Sequence, residues 1–330
     1  MRNELRDAAK ALLASQIVVL AAHVNPDGDT LGSILALTHA LLALGKSVTP
    51  FSADGVPLIY QWMPGADLVK QDSGSDDFDL AVLCDAGKTD RAGSKIQAIL
   101  EASNNLMIID HHMPEGNQGD FRLIDPGLAS NAELVWKVVC ELERQSGMHL
   151  RSCSIAECIL TGIITDTGSF QYPNTTARTF LAASRMQRLG AKPSHISELV
   201  FENRSVASVR LLGRVLSAMT ISENGKVAWG HVTASDFAEM NATDADTEGI
   251  VAHLRAIYGV QVGILFREIP GKKMRVSLRA REGSDVNAVA RVFGGGGHKL
   301  AAGCSFDQPL QEVEPLVVNE ALKHVLAISE

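Results

Sequence analysis

The chain has no long apolar run, no internal repeat and few aromatic residues, which make up 5% of its 330 residues. Its apolar runs fall far short of the ~18 residues that a membrane-spanning helix needs, so we expect no membrane span. Its 28 glycines follow no three-residue period, which excludes a collagen-like chain. The absence of a repeat of about 20–50 residues argues against a solenoid or a propeller. With 46% hydrophobic and 21% charged residues the composition is that of a globular protein, and the length predicts two domains.

Cysteine is also scarce, and its positions follow no pattern. The five cysteines are an odd number and none forms a C-x-x-C pair, which excludes a disulfide framework and a zinc ribbon. Such usage is typical of a reducing compartment. The apolar stretch 11–22 follows three basic residues, as in a signal peptide, but Glu4, Asp7, Ser15 and Gln16 break that pattern. We therefore expect a cytoplasmic protein.

Acidic residues outnumber basic ones, and the formal net charge is −8. An acidic chain is not expected to bind long nucleic acid nonspecifically. The charge is uneven, because segment 267–299 contains eight lysines and arginines against three acidic residues, a local charge of +5 that leaves −13 elsewhere. A local basic surface on an acidic protein suits a short anionic ligand, although a solvated strand face would have the same composition.

The first half of the chain alternates apolar, β-branched runs with segments of helical period. Strands are predicted at 17–22, 47–51, 79–84 and 106–109. One helix is predicted from Asp29 to Leu44, and another begins at Ser130, with Glu133 three residues later as in a capping box. Strands separated by helices indicate an α/β fold with a doubly wound parallel sheet.

The second half has a different pattern. Residues from about 175 to 217 are helical in period and carry a break at 190–193. Beyond them, strands are predicted at 226–232, 260–267 and 274–280, with helices at 247–257 and 285–293. We therefore expect a larger α/β domain at 1–184, a helical linker at 185–217 and a smaller α/β domain at 218–330.

Acidic residues and histidines follow three of the predicted strands. His23, Asp27 and Asp29 follow the first strand, Asp85 follows the third, and Asp110, His111 and His112 follow the fourth. Asp166 ends a further apolar run, 159–165, whose helical or extended character the sequence leaves open. Because ligands bind outside the carboxyl ends of the strands in open parallel sheets, we expect these side chains to converge.

These residue types predict a divalent metal centre. Carboxylate and imidazole ligands suit Mn, with Mg, Co or Zn as alternatives. Four clustered carboxylates, at Asp27, Asp29, Asp85 and Asp166, would repel one another unless two divalent ions neutralised them. Asp85 stands alone at its strand end, which is a natural position for a carboxylate that bridges two ions. Two ions ~3.5–4 Å apart produce a nucleophilic hydroxide and bind the attacking and leaving oxygens of phosphoryl transfer.

The same residues resemble the motifs of the DHH phosphoesterases. Asp110-His111-His112 is the motif that names the family, and HVNPDGDTLGS from His23 is similar to the first motif. The second and fourth motifs resemble DAGKTDRAG from Asp85 and TGIITDTGSFQYP from Thr161. FGGGGHKLAAG from Phe293 is similar to the glycine-rich signature of the DHH-associated domain. The resemblance identifies 1–184 as a catalytic, metal-binding DHH domain and 218–330 as a DHH-associated, substrate-binding domain.

The resemblance also implies roles for individual residues. His23, Asp27 and Asp85 would hold one ion, and Asp29, Asp85, His111 and Asp166 would hold the other. His112 would face the substrate phosphate, and Asp110 would orient a ligand histidine. The second motif departs locally from the family, since Ala86 stands where a hydroxyl residue is common, and no metal ligand is affected.

The glycine run has physical properties of its own. Gly294, Gly295, Gly296 and Gly297 permit positive φ and expose backbone N–H groups, which can form an anion-binding nest. His298 and Arg279 would add charged donors to a terminal phosphate. Taken alone, the run also fits a plain flexible loop, and Arg279 fits a surface residue.

Within the superfamily, the chain is most similar to the bacterial nanoRNase type. That resemblance implies a two-metal exoribonuclease that cleaves RNA of about two to five nucleotides to mononucleotides and removes the 3′-phosphate of pAp. Two alternatives stay open: a phosphodiesterase of cyclic or linear signalling dinucleotides (c-di-AMP, pApA, pGpG) and a nucleotide-binding protein with an inactive site. We expect short RNA or small nucleotides as partners, and neither long duplex nucleic acid nor a membrane. The sequence leaves open whether the chain forms a homodimer.

Overall fold

The apolar runs of the first half form one parallel sheet. In the computed structural model, which describes residues 2–71, 78–103, 105–114 and 116–325, the strands are β1 (Ile17–Ala21), β2 (Ser47–Phe51), β3 (Leu80–Cys84), β4 (Leu106–Asp110) and β5 (Phe121–Ile124). They lie in the order β2-β1-β3-β4-β5, and every neighbouring pair is parallel. The predicted α/β class and parallel sheet are confirmed, and β5 extends the sheet by one strand that the sequence did not predict.

Helices cover both faces of this sheet. They are α1 (Arg2–Ala14), α2 (Gly28–Ala43), α3 (Ser94–Ala102), α4 (Asn131–Ser146), α5 (Cys153–Asp166), α6 (Ala177–Arg188) and α7 (Pro193–Ser197). Val18 and Leu20 pack in the core that includes α2, α4 and α5, whereas Val19 and Ala21 pack on the opposite face with α3. This alternation is typical of a sheet that is buried on both sides. The apolar run 159–165 lies within α5 and is therefore helical.

Side-chain caps fix where two of these helices begin. Asp27 caps α2 and accepts hydrogen bonds from the N–H groups of Asp29 at 2.9 Å and Thr30 at 3.0 Å. Ser130 caps α4, and its hydroxyl oxygen accepts from the N–H of Glu133 at 3.3 Å, as the sequence predicts. Both caps satisfy N–H groups that have no acceptor within the helix. They place the first turns of α2 and α4 beside the carboxyl edge of the sheet.

The second half forms a smaller α/β unit. Its elements are α8 (Val206–Ala218), β6 (Thr220–Ile221), β7 (Val227–Val232), α9 (Ala234–Glu239), α10 (Ile250–Ala256), β8 (Val262–Arg267), β9 (Met274–Ala280), α11 (Val286–Val292), β10 (Gly296–His298), β11 (Ala301–Phe306) and α12 (Leu310–Lys323). The strands lie in the order β10-β11-β9-β8-β7-β6, with β7 and β8 parallel and the other pairs antiparallel. Val276 and Leu278 of β9 point into a core that α11 and α12 cover.

The division between the two compact units falls between Asn203 and Arg204. This point lies within the segment 185–217, for which the sequence predicts a helical linker. The segment contains the end of α6, α7, a π-helical stretch at Glu198–Glu202 and most of α8. In the described part of the chain, no helix combines the length and the apolar composition that crossing a bilayer requires.

Candidate metal centre

The carboxyl ends of β1, β3 and β4 bring histidines and carboxylates together in the first unit. Three overlapping groups have their ligand atoms within 4.8 Å of one another: His23, Asp27 and Asp85; Asp29, His111 and Asp166; and Asp85, His111 and His112. Asp166 joins the cluster from the last residue of α5. The chain thus gathers four segments that are distant in sequence around one carboxylate, Asp85.

Asp85 lies at the centre of this cluster in an unusual backbone conformation. It follows β3 with a φ of +61°, in the left-handed region that residues other than glycine rarely adopt. Its Oδ2 accepts a hydrogen bond from the Thr30 hydroxyl at 2.6 Å and lies 3.5 Å from His23 Nε2. Its Oδ1 is buried with no hydrogen-bond partner among the described residues, 3.5 Å from His111 Nε2. A buried carboxylate oxygen left without a donor is an atom that a cation would satisfy.

His111 is oriented as a metal-binding histidine would be. Its Nε2 lies 3.5 Å from Asp166 Oδ2 and 3.8 Å from Asp29 Oδ2. Its Nδ1 lies 3.3 Å from the carbonyl oxygen of Leu128, and a bond from Nδ1 to that oxygen directs the lone pair of Nε2 toward the carboxylates. Burial lowers the pKa of His111, which favours the neutral imidazole that a metal ion requires.

Asp29 is held by the start of α4. It is 1% exposed, and its two carboxylate oxygens accept from the backbone N–H groups of Asn131 at 2.6 Å and Ala132 at 2.8 Å. Burial, together with the charge of Asp85, raises the pKa of Asp29 well above its usual range. The same two causes raise the pKa of Asp166 to about 8. The cluster therefore concentrates more negative charge than its surroundings stabilise, which is the condition that divalent cations relieve.

Asp110 and His112 form a pair next to the cluster. Asp110 Oδ1 lies 2.7 Å from His112 Nδ1 and accepts from the His112 backbone N–H at 3.1 Å. The resemblance implies that Asp110 orients a ligand histidine; here its carboxylate contacts His112, the residue expected to face phosphate. Burial opposes protonation of His112, but the hydrogen bond to Asp110 and the charge of Asp85 outweigh it and raise the pKa of His112 to about 9. His112 is thus a cation at neutral pH in the metal-free protein.

The donor set fits hard or borderline divalent ions. Only carboxylate oxygens and imidazole nitrogens make up the three groups, and no thiol takes part in them. Mn, Mg, Co and Zn all accept such ligands, whereas softer metals favour sulfur. Asp85 and His111 each belong to two of the groups, and Asp85 is the carboxylate that they share. Sequence reasoning missed Thr30 and Asn131, which contact Asp85 and Asp29. The one signal for Thr30 was its position inside the first motif, and the one signal for Asn131 was its position after the predicted cap Ser130.

The glycine run lies in the second unit, and its second half forms a strand rather than a flexible loop. Gly296 and Gly297 belong to β10, which pairs with β11. Gly294 and Gly297 have φ of +73° and +143°, and a Cβ on Gly295 would lie 2.2 Å from the carbonyl oxygen of Gly303. Positive φ accounts for the glycine at 294, and the close approach of β11 accounts for those at 295 and 297, where a Cβ would collide with its backbone.

The basic segment is partly neutralised within the second unit. Arg267 and Arg275 both contact Asp244, and Lys273 lies 2.7 Å from Asp307. Arg279 lies on β9, opposite Ala301 of β11, and its guanidinium donates to the carbonyl oxygen of Leu278 at 3.1 Å. His298 is the last residue of β10. The acidic contacts described here reach other residues of the segment and leave Arg279 as a candidate for an external anion.

Comparisons with known proteins cover both units. The DHH family, N-terminal domain, matches residues 17–163, and the DHHA1 domain matches residues 225–328. The chain is 29% identical over 311 residues to a protein of Thermus thermophilus named bifunctional oligoribonuclease and PAP phosphatase NrnA, covering 92% of this chain and 88% of that protein. A protein of the same name from Bacillus subtilis is 28% identical over 305 residues, 91% of this chain and 94% of that one.

A solved structure extends the similarity to the fold of the whole chain. The crystal structure of an exopolyphosphatase-related protein from Bacteroides fragilis matches with a TM-score of 0.91 and 27% sequence identity. The match covers 98% of this chain and 96% of that one. The similarity of fold thus spans both regions that the two family models match.

Proposed function

The chain belongs to the DHH family, and on that premise we propose that it hydrolyses short oligoribonucleotides to mononucleotides and removes the 3′-phosphate of pAp. The observation that carries the proposal is the chain of overlapping groups of candidate ligand atoms: Asp85 links His23 and Asp27 to His111, and His111 links Asp85 to Asp29 and Asp166. Relatives that match along nearly their whole length carry the name oligoribonuclease and PAP phosphatase. We infer two divalent ions, with Mn favoured by the mixture of carboxylates and histidines.

In this proposal His23, Asp27 and Asp85 hold one ion, and Asp29, Asp85, His111 and Asp166 hold the other. Bound ions would supply an activated hydroxide and neutralise charge on the phosphate. His112, kept protonated by Asp110, would donate a hydrogen bond to a phosphate oxygen and stabilise the negative charge that develops there. Asp85, as a ligand of both ions, would fix the positions of the two ligand groups relative to each other.

The second unit would recognise the substrate. Arg279 and His298 would donate to a terminal phosphate, next to the backbone of the glycines at 294–297. The +5 charge of segment 267–299 favours a ligand with few phosphates, since part of that charge is already paired. The free cysteines of the described chain agree with a cytoplasmic location.

Three substrates offered in parallel test this proposal. The full chain would be incubated with Mn²⁺ and a 5′-labelled RNA dinucleotide, with pAp, or with c-di-AMP, and the products separated by chromatography. We expect mononucleotides from the first and adenosine 5′-monophosphate from the second, both abolished by EDTA. Turnover of c-di-AMP alone would replace the proposal with the signalling-dinucleotide alternative. Activity that persists in EDTA would contradict the metal centre.

A further inference from the structure

Thr30 is a fully buried residue to which neither the family motifs nor the proposed chemistry gives a role. It lies in the first turn of α2 and is 0% exposed. Its backbone N–H donates to Asp27 Oδ1 at 3.0 Å, and its hydroxyl donates to Asp85 Oδ2 at 2.6 Å. One residue therefore contacts two carboxylates of the group formed by His23, Asp27 and Asp85.

The hydroxyl of Thr30 differs from that of another buried threonine in the same helix in the acceptor to which it donates. A buried threonine in a helix commonly donates to the carbonyl oxygen one turn earlier. Thr38 does so in the same helix, donating to the carbonyl oxygen of Ile34 at 2.8 Å. Thr30 instead reaches across to the end of β3. A hydroxyl that donates to a carboxylate forms one of the stronger classes of hydrogen bond in proteins.

The bond makes the two oxygens of Asp85 different from each other. The backbone of Asp85 is held with a φ of +61° by the bond from its N–H to the carbonyl oxygen of Ile109, 2.8 Å away. What remains free is rotation of the side chain. Thr30 fixes it with Oδ2 on the side of His23 and Oδ1 3.5 Å from His111. Each oxygen thereby faces a different group of candidate ligands.

We propose that Thr30 is a positioning residue of the metal centre, which sets the rotation of the Asp85 carboxylate before metal binds. This inference rests on the proposed function, because it takes the cluster as the site of divalent ions. Loss of the hydroxyl leaves the N–H contact to Asp27 intact and frees Asp85 alone. Removal of a group that orients a metal ligand typically lowers metal affinity about 10–100-fold.

The test is Mn²⁺ binding to the full chain after metal has been stripped with EDTA. Free Mn²⁺ is followed by electron paramagnetic resonance, and binding heats by calorimetry. Thr30→Val removes the hydroxyl at nearly constant volume, Thr30→Ser retains it, and Thr38→Val is the matched control on the same helix. We expect Thr30→Val to weaken Mn²⁺ binding about 10–100-fold, whereas Thr30→Ser and Thr38→Val bind as the wild type does.

The outcomes separate this inference from the proposed function. If the wild-type chain binds no Mn²⁺, the metal centre itself is wrong. If the wild type binds Mn²⁺ and Thr30→Val has the same affinity as Thr38→Val, Thr30 does not position Asp85. Should Thr30→Val not fold, judged by its metal-free melting curve, Thr30→Ala replaces it. Thr30→Ala and Thr30→Ser differ only in the hydroxyl, so equal affinities for that pair would overturn the inference equally well.

Discussion

The carboxylate of Asp110 and the Nδ1 atom of His112, two residues further along the chain, lie 2.7 Å apart. The motif that names the family thus contains an ion pair within itself. Because Asp110 is 1% exposed, its charge acts on His112 with little screening by solvent. Asp110 thereby holds the protonated imidazole of His112 beside the cluster of carboxylates.

The first prediction concerns this pair. Asp110→Asn removes the charge that stabilises protonated His112, so the pKa of His112 should fall from about 9 toward the usual histidine range. Histidine resonances of the metal-free protein, followed by NMR as pH rises, measure this shift. With a raised pKa, the pair stabilises the fold fully below about pH 6.5 and loses that contribution as pH rises through about 9. An equal His112 pKa in the wild type and in Asp110→Asn would mean that Asp110 does not stabilise the protonated form of His112.

A second prediction concerns stabilisation by metal. The pKa values of Asp29 and Asp166 are raised in the metal-free fold, so that fold binds more protons than the unfolded chain does. Its stability should therefore fall as pH rises from about 4 through about 8. Mn²⁺ removes this penalty, and the rise in melting temperature on adding Mn²⁺ should be larger at about pH 8.5 than at about pH 6. An equal rise in melting temperature at the two pH values would contradict the claim that Asp29 and Asp166 lie in a cluster of repelling charges.

The third prediction tests the shared carboxylate. Asp85→Asn should lower turnover of an RNA dinucleotide by more than the about 100-fold typical of residues that only support a ligand. The charge is lost from both ligand groups at once, while the shape of the side chain is retained. Rates are measured at saturating Mn²⁺, and melting curves in EDTA should show an intact fold. Near-normal turnover would exclude Asp85 as a bridging ligand.

A fourth prediction separates the roles of two histidines. His298→Ala should mainly raise KM, because a contact to the substrate's terminal phosphate is the same in the ground state and the transition state. His112→Ala should mainly lower kcat, because His112 would stabilise charge that develops during the reaction. Steady-state kinetics on one dinucleotide measure both. If the two phenotypes were exchanged, the second unit would hold the chemistry.

The fifth prediction is a preference for short substrates. Outside segment 267–299 the chain carries −13, so each added phosphate meets repulsion. We expect kcat/KM to be high for RNA of about two to five nucleotides and far lower for RNA of about 24. Salt screens the repulsion and should narrow the difference. Rates on a ladder of 5′-labelled RNAs at two salt concentrations decide this, and equal values for the shortest and longest RNA would indicate a long exonuclease groove.

The sequence predicts that the carboxylates and histidines converge, because their convergence follows a simple rule of parallel sheets. Polar residues directly after apolar strands, such as Asp85 and His111, must meet at one edge of the sheet. Thr30 escapes the same reasoning because it is uncharged, and Asn131 because it acts through its backbone N–H. Their partners, Asp85 and Asp29, are also distant in sequence. Only the packing of α2 and α4 brings each pair together, and no local pattern encodes that packing.

The glycine run shows a second limit of sequence reasoning. Glycine is a poor strand former, so four in succession predict a loop. Gly296 and Gly297 nevertheless enter β10, where the absence of a side chain at Gly297 lets its backbone approach β11. Pairing with β11, which lies later in the sequence, therefore determines the conformation of Gly296 and Gly297. Strand β5 is similar: its four residues include Arg122 and have no strong alternation, yet they pair with β4.

The contact between Asp29 and the start of α4 determines which variant can serve as an inactive reference enzyme. Asp29 accepts from the first two N–H groups of that 16-residue helix, so the residue also acts as its cap. An alanine there would leave two buried donors unsatisfied, at a cost of about 1–3 kcal/mol each, and would confuse lost chemistry with lost stability. Among the described residues, no backbone N–H donates to the carboxylate of Asp166, whose carbonyl oxygen accepts from the side chain of Asn174. Asp166→Asn is therefore the cleaner way to disable the centre while the scaffold stays unchanged.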